Sequence, residues 1–509
     1  MNRLKHYKKL FTHSIIATGV LTLVGCAQPL STEKQTSYSN VDNFKTNLYQ
    51  SSLPYTIKHP DKTGFYPLGD GQTALLARLA IIEGAEKTLD VQYYIYRDDA
   101  TSGLLTWYLY QAAERGVRVR LLLDDMQNRD DQALASLSAH PNVEVRLFNP
   151  FSNRTIKPLS FLTDFDRLNR RMHNKAIIAD GVFAITGGRN IGDEYFSANS
   201  DVEFGDFDLI MLGKVIPQFS RQFDEYWNSK PATPIEALVS EAHEPTPEQL
   251  AQWKQAQLKY MSTDYARSLK HHPMVKQLMD ETLPLFWTDA ELLYDTPYKV
   301  ANSKDDLLLH KLSEMIAKAD HDFFLVSPYF VPTEEGAKEL AKAAKSGKNI
   351  TIVTNSLASN DVFAVHGWYA KYRKLMLKGG VKLYEVKVEP GQKTKHKWLS
   401  RSRTSLHAKT FILDKSKIFV GSFNFDPRSA YLNTELGVIV DSPEFSGQVY
   451  NQISNSLLKD AYRLSLDENG DIVWNDDTTG QQYTSEPDSG ILLKMGAWVA
   501  GALPIEKQL

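Results

Sequence analysis

The chain carries one unit twice. His173-Asn174-Lys175 leading to Asp180 and His407-Ala408-Lys409 leading to Asp414 both read H-x-K-x4-D, and the two histidines stand 234 positions apart. Glycine follows each histidine by 14 residues, at Gly187 and Gly421, and asparagine by 17, at Asn190 and Asn424. What precedes the motifs repeats as well. The β-rich run Leu89–Tyr96, a helical pattern over Leu104–Ala113 and an apolar run Val117–Leu123 return as Phe323–Tyr329, Glu335–Lys345 and Asn349–Val353. Alternating helix and strand predicts an α/β fold with mostly parallel pairing. So long a period excludes a solenoid. It predicts two homologous α/β domains in a pseudo-twofold arrangement, with one active site between them.

The motifs carry chemistry as well as symmetry. Alternation along a strand puts the His and Lys of H-x-K on one face. Two lysines can neutralise the oxygens of a phosphodiester, helped by amide donors such as Asn190 and Asn424. One imidazole can attack phosphorus and form a phosphohistidine, which splits one difficult displacement into two easier ones. The other can protonate the leaving oxygen and then deprotonate the incoming alcohol or water. Which histidine does which depends on how substrate enters; His173 as nucleophile and His407 as acid and base is the preferred assignment. Gly187 and Gly421 are expected to let backbone approach the ligand, with Ser422 beside them. Asp180 and Asp414 complete the catalytic set as motif members, although their place at the strand ends points to local organisation. No metal cluster is visible, and with Cys26 as the one cysteine neither a thiolate zinc site nor an internal disulfide can form.

The N-terminus is a targeting segment. Arg3, Lys5, Lys8 and Lys9 precede an apolar run from Phe11 to Val24. The run is short of the roughly 20 residues a membrane span needs, and fits a secretory signal. It ends Leu23-Val24-Gly25-Cys26, which resembles a bacterial lipoprotein signal with Cys26 as the acylated residue. Residue 27 is Ala, which by analogy with lipoprotein sorting points to the outer membrane, facing the periplasm. The expected division is a signal peptide over 1–25, a flexible tether over 26–60 and a first domain over 61–231. An inserted helical linker or lid over 232–300, a second domain over 301–465 and a C-terminal segment over 466–509 follow.

These motifs resemble those of the phospholipase D superfamily. Arg167-Leu168-Asn169-Arg170-Arg171-Met172-His173-Asn174-Lys175 is similar to the bacterial cardiolipin synthases, type C branch. So are Gly187-Gly188-Arg189-Asn190-Ile191-Gly192-Asp193-Glu194-Tyr195-Phe196 and Leu503-Pro504-Ile505-Glu506. The resemblance implies that a carboxylate beyond each G-x-x-N loop orients a histidine. It points to Glu435 for His407, and in the first half to one of Glu203, Asp206 and Asp208, of which Asp208 is chosen. The implied activity is phosphatidyl transfer, giving cardiolipin from phosphatidylglycerol and a second phospholipid, possible donors including phosphatidylethanolamine, with no cofactor. The alternatives are a phospholipase D-type hydrolase and a noncatalytic lipid-binding lipoprotein. A net charge of −3 argues against a general nucleic-acid binder. The cations Lys393, Lys395, Lys397, Arg401 and Arg403, with Trp398 among them, read either as a solvated loop or as a contact with anionic membrane.

Overall fold

In the computed structural model, residues 34–39, 42–198, 203–239, 243–264, 282–301, 308–388, 404–455 and 458–509 are described, with the single positions 267, 273 and 277. Cys26, the signal and the basic stretch 393–403 lie outside them.

The two halves match strand for strand. In the first, Thr88–Tyr93, Arg118–Asp124 and Val143–Phe148 run parallel. On the other side of Thr88–Tyr93, the strands Ala176–Ala179, Phe183–Gly187, Asp208–Gly213 and Thr63–Leu68 follow antiparallel. In the second, Asp322–Val326, Asn349–Asn355 and Lys382–Val386 run parallel, and Thr410–Leu413, Lys417–Gly421, Leu436–Asp441 and Phe286–Tyr294 follow. Phe286–Tyr294 joins the halves: Phe286–Thr288 pair with Thr63–Phe65, and Asp289–Tyr294 pair with Leu436–Asp441. The described strands thus form one continuous 18-stranded sheet and a small two-stranded one.

Local chemistry explains the crossovers. Asp99 and Ser102 form a reciprocal capping box that starts the helix Ala100–Glu114, and Gly116 at φ 90° ends it. Thr88–Tyr93 is buried along its whole length, as befits a parallel strand covered on both faces. A shared apolar layer cements the halves: Phe65, Ile178 and Phe219 from one meet Phe324, Val420 and Phe445 from the other. Phe65 and Phe445 meet edge to face at 4.9 Å.

Several expected boundaries shift. The stretch read as a tether is, from residue 34, seated on the first domain. The hydroxyl of Ser39 donates to Asp90 at 2.8 Å and to Asp224 at 3.0 Å, and Arg120 donates to the same hydroxyl at 2.6 Å. A helix, Asn47–Thr56, follows. Polar composition misled here, because buried charges of the domain supply the partners. The stretch read as an insertion begins with a strand, Ala232–Pro234, paired with Arg146–Phe148, and ends with the joining strand. Between them the helix Pro247–Met261 lays Trp253 against Tyr110, 5.9 Å between rings. The C-terminal segment contributes the strands Ile472–Asp476 and Gln481–Tyr483 and the helix Ile491–Ala502.

Candidate active site

The two motifs meet at the carboxyl ends of the parallel strands, where α/β sheets commonly bind ligands. Equivalent strand ends hold the approach to each motif. Asp124, closing Arg118–Asp124, accepts from the Arg171 guanidinium and from the Met172 amide, the latter at 2.8 Å. Asn355, closing Asn349–Asn355, exchanges hydrogen bonds with the backbone of Leu406, at 2.9 and 3.0 Å.

Each approach is then zipped to the opposite half. The His173 amide donates to the Thr434 carbonyl at 2.9 Å, and the Thr434 amide to Arg171 at 2.9 Å. The His407 amide donates to Gly205 at 2.7 Å, and Thr404–Leu406 pairs in parallel with Glu203–Gly205. The next residues, Glu435 and Asp206, therefore reach across. His173 Nδ1 lies 2.8 Å from Glu435 Oε2, and His407 Nδ1 lies 2.5 Å from Asp206 Oδ2.

This corrects the expected pairing. Glu435 serves His173, not His407, and Asp206 rather than Asp208 serves the other histidine. Asp208 is buried between Arg78 and Arg189, at 2.9 and 3.3 Å. Glu203 lies in the cross-half strand. Chain order identifies the carboxylates, but only the interface between halves decides which histidine each meets.

The other candidates divide. Asp180 accepts the amides of Glu86, Lys87 and Thr88 at 3.0, 2.7 and 2.9 Å. Asp414 does the same for Asp320, His321 and Asp322 at 2.8, 2.7 and 2.8 Å. Both tie down the start of a parallel strand, the local organisation expected from their place at the strand ends rather than the catalytic place that membership of the motif suggested. Gly187 and Gly421 face neighbouring strands: a Cβ would meet Asp208 Oδ1 at 2.2 Å in one and Leu436 O at 2.4 Å in the other. Close strand packing, not approach to a ligand, requires glycine there. Ser422 donates to Glu435 Oε2 at 2.5 Å, so it supports the carboxylate. Asn190 is occupied, accepting from Ile95 N and donating to the Tyr195 hydroxyl, both at 3.1 Å. Asn424 is buried, and its Oδ1 has no hydrogen-bond partner among the described residues.

Two neighbours escaped sequence reasoning. Tyr94 stands edge-on to His173 at 4.9 Å, and Tyr195 edge-on to His407 at 5.2 Å. Both lie in stretches already singled out for strand pattern or resemblance, yet nothing in the spacing aims them at the imidazoles.

Electrostatics follows from burial: His173 is 7% exposed and His407 8%. Burial draws the His173 imidazole well below its ordinary range, and Lys175, Lys409 and His407 push the same way. Burial and Lys409 also lower His407, while Asp206 opposes them. Burial lowers both Lys175 and Lys409, against the pull of Glu435 and Asp206. Burial would raise Asp206, but His407, Lys409 and Arg189 together hold it below the usual carboxylate range. Glu435 is pushed up to about 7 by burial, which Lys175 and Ser422 only partly offset. Elsewhere, His366, Glu385 and Glu486 bring possible ligand atoms within 4.8 Å of one another. Arg373 already bonds both of those carboxylates, so their charge is met by a guanidinium.

The family described as cardiolipin synthase, PLD-like domain, matches residues 79–227 and 312–457, one segment for each half. The chain is 40% identical over 470 residues to cardiolipin synthase C of Escherichia coli K12, covering 90% of this chain and 99% of that one. It is 25% identical to a cardiolipin synthase of Oceanobacillus iheyensis, covering 84% and 78%. Its fold is similar to that of phosphatidylserine synthase from Haemophilus influenzae, with a TM-score of 0.58 at 12% identity, over 87% of this chain and 95% of that one. The duplicated motifs, their meeting in one buried site and these likenesses agree: the chain belongs to the phospholipase D-like family of cardiolipin synthases.

Proposed function

We propose that this protein is a phosphatidyltransferase that makes cardiolipin from phosphatidylglycerol and a second phospholipid. The observation that carries the reading is the meeting of two His–Lys pairs, one from each half, each histidine oriented by a carboxylate from the other half. His173, held neutral by burial and by three neighbouring cationic groups, is the nucleophile. Its Nδ1 faces Glu435, which leaves Nε2 to attack phosphorus. Lys175 and Lys409 neutralise the nonbridging oxygens, with the Asn424 amide beside them.

His407, supported by ionised Asp206, is the acid. As the His173–phosphorus bond forms, the phosphorus–oxygen bond to the leaving alcohol breaks, and His407 gives that oxygen its proton. The glycerol hydroxyl of phosphatidylglycerol then enters, loses its proton to His407 and attacks the phosphatidyl-histidine. Cardiolipin leaves and His173 is restored. Water must be kept out for this hydroxyl to prevail. Cys26 is the proposed acylation site, anchoring the body to the outer membrane on its periplasmic side.

The test is mass spectrometry of the lipids formed by the purified protein on phosphatidylglycerol vesicles, with and without phosphatidylethanolamine. Cardiolipin is expected as the main product and phosphatidic acid as a minor one. Phosphatidic acid as the chief product, with phosphatidylglycerol abundant, refutes the transferase reading in favour of a hydrolase.

A further inference from the structure

Among the described residues, more than half of the large apolar side chains left exposed fall into two groups. One group, including Ile156, Leu162 and Phe165, lies in the segment between the strand Val143–Phe148 and the first motif. The other, including Leu492, Met495 and Trp498, lines one side of the helix Ile491–Ala502. Leu162 is 83% exposed and Trp498 75%.

Both groups belong to the edge that carries the site. The first leaves the carboxyl end of a parallel strand and runs directly into Arg171 and His173. The second rests on the helix Phe363–Gly379, which follows the carboxyl end of Asn349–Asn355. There Gly367 lets the helices touch: a Cβ on it would lie 2.1 Å from the Ala497 carbonyl. The chain beyond this helix then returns to the motifs. Arg428 N donates to the Leu509 carbonyl at 2.6 Å, and Arg428 Nη1 to the Asn169 carbonyl at 3.0 Å. Asn169, four residues before His173, also bonds Gln508. The two apolar ridges are thus tied together beside the site, one from each half.

We propose that this edge docks on a phospholipid bilayer, with both ridges entering the interfacial layer and the site opening between them. The identity of the partner rests on the phospholipid substrate proposed above. Among the described residues no helix is long and apolar enough to cross a membrane. Ile491–Ala502 has 12 residues and one charge, Lys494, against the roughly 20 residues a span requires. A short helix with a bare apolar face and an exposed tryptophan suits the boundary between headgroups and acyl chains. A bilayer would press on both halves at once and deliver a phosphodiester at the depth of the headgroups.

Two measurements on the full chain test this. Lipids carrying a shallow doxyl quencher are expected to quench part of the tryptophan emission, and Trp498→Phe is expected to remove that part. A quenched fraction unchanged by Trp498→Phe overturns the proposal. Second, Leu492→Glu/Trp498→Glu and Leu162→Glu/Phe165→Glu alter exposed side chains only. Each pair is expected to slow turnover on vesicles at least tenfold while sparing turnover on detergent-dispersed phosphatidylglycerol. Equal loss on both substrates overturns docking, as does a variant that turns dimer to monomer in sedimentation without slowing the vesicle reaction. Because quenching is read independently of product, docking can stand even if the product proves to be phosphatidic acid.

Discussion

Replacing Asp206 by Asn tests the crossed pairing directly. Asp206 Oδ2 lies 2.5 Å from His407 Nδ1, with both side chains buried. A hydrogen bond to a charged partner contributes about 1.5–3 kcal/mol. Removing the charge takes that stabilisation from the imidazolium and lowers the His407 pKa. The sign is downward, because the carboxylate favours the imidazolium. The protonated fraction above that pKa then falls roughly 10- to 100-fold, and with it the step that needs His407 as acid. The assay is nuclear magnetic resonance of ring-labelled histidine across pH, with His407 and His173 identified by their glutamine variants among the 13 histidines. Asp206→Asn is expected to move the His407 titration and tautomer and leave His173 in place; Glu435→Gln is expected to do the reverse. If Asp206→Asn moves His173 instead, the halves are self-contained and the crossed geometry is wrong. Asp208→Asn is the control. It leaves Arg78 and Arg189 buried with less compensation, so it should cost about 3–5 kcal/mol in denaturant unfolding without touching either titration.

His173→Ala and His407→Ala should each abolish turnover while leaving folding intact; more than about a tenth of the parent rate in either refutes a shared site, since losing acid–base catalysis alone costs about a hundredfold. Activity should survive excess EDTA, and loss restored by a divalent ion would sink the lysine-based mechanism. Cys26→Ala should remove acyl labelling, and unchanged labelling excludes that residue as the anchor. Burial lowers both site histidines, so between about pH 5 and 6, below the ordinary imidazole pKa of about 6.5, the unfolded chain takes up more proton on them than the folded one, and their contribution to stability should rise with pH. Glu435, pushed up to about 7 in the fold, and Asp426, pushed up to about 6, take up protons the other way and flatten the rise. Chemical denaturation of the parent and of His173→Gln/His407→Gln at the two pH values checks it: the parent's stability relative to the variant should rise with pH, and a fall contradicts the lowered histidines.

The α/β repeat was legible because the helix and strand periods recur twice in register with the motifs, but the mostly parallel pairing expected was not met: in each half four antiparallel strands outnumber the three parallel ones. Residues 88–93 and 322–326 each became the parallel strand beside the strand that follows H-x-K. The site was legible where chemistry dictates residue type, at His173, Lys175, His407 and Lys409. It was illegible where a contact spans the halves. No spacing within either repeat reveals that Thr434 and Arg171, or Gly205 and His407, share backbone hydrogen bonds. Those bonds decide which histidine Glu435 and Asp206 meet. The reading of Gly187 and Gly421 failed for a related reason. A glycine marks a close approach, but the sequence does not say whether ligand or neighbouring strand approaches.

A duplicated site has a further difficulty: the chemistry needs two unlike histidines, and duplication supplies two like ones. The departures from symmetry lie within the echoes that revealed it. Gly187-Gly188-Arg189-Asn190 stands where the second half has Gly421-Ser422-Phe423-Asn424. Ser422 supplies a hydroxyl to Glu435, whereas a Cβ on Gly188 would lie 2.1 Å from Asp206 Oδ1, so the first half has no room for one. Arg189 adds a buried cation near Asp206, and Phe423 offers none to Glu435. His407, Lys409 and then Arg189 hold Asp206 ionised against burial, while burial raises Glu435 to about 7 in spite of Lys175 and Ser422. Through the crossed pairs, the ionised carboxylate falls to His407, the proposed acid, and the one raised to about 7 to His173, the proposed nucleophile. Ser422→Ala, which withdraws the hydroxyl from Glu435 without adding bulk, should therefore alter the support of His173 without removing either histidine. The measurable result is a pH–rate profile whose acid limb shifts, together with slower formation of the phosphatidyl-histidine in rapid-quench experiments. An unchanged profile in a folded variant would show that substrate orientation alone assigns the roles.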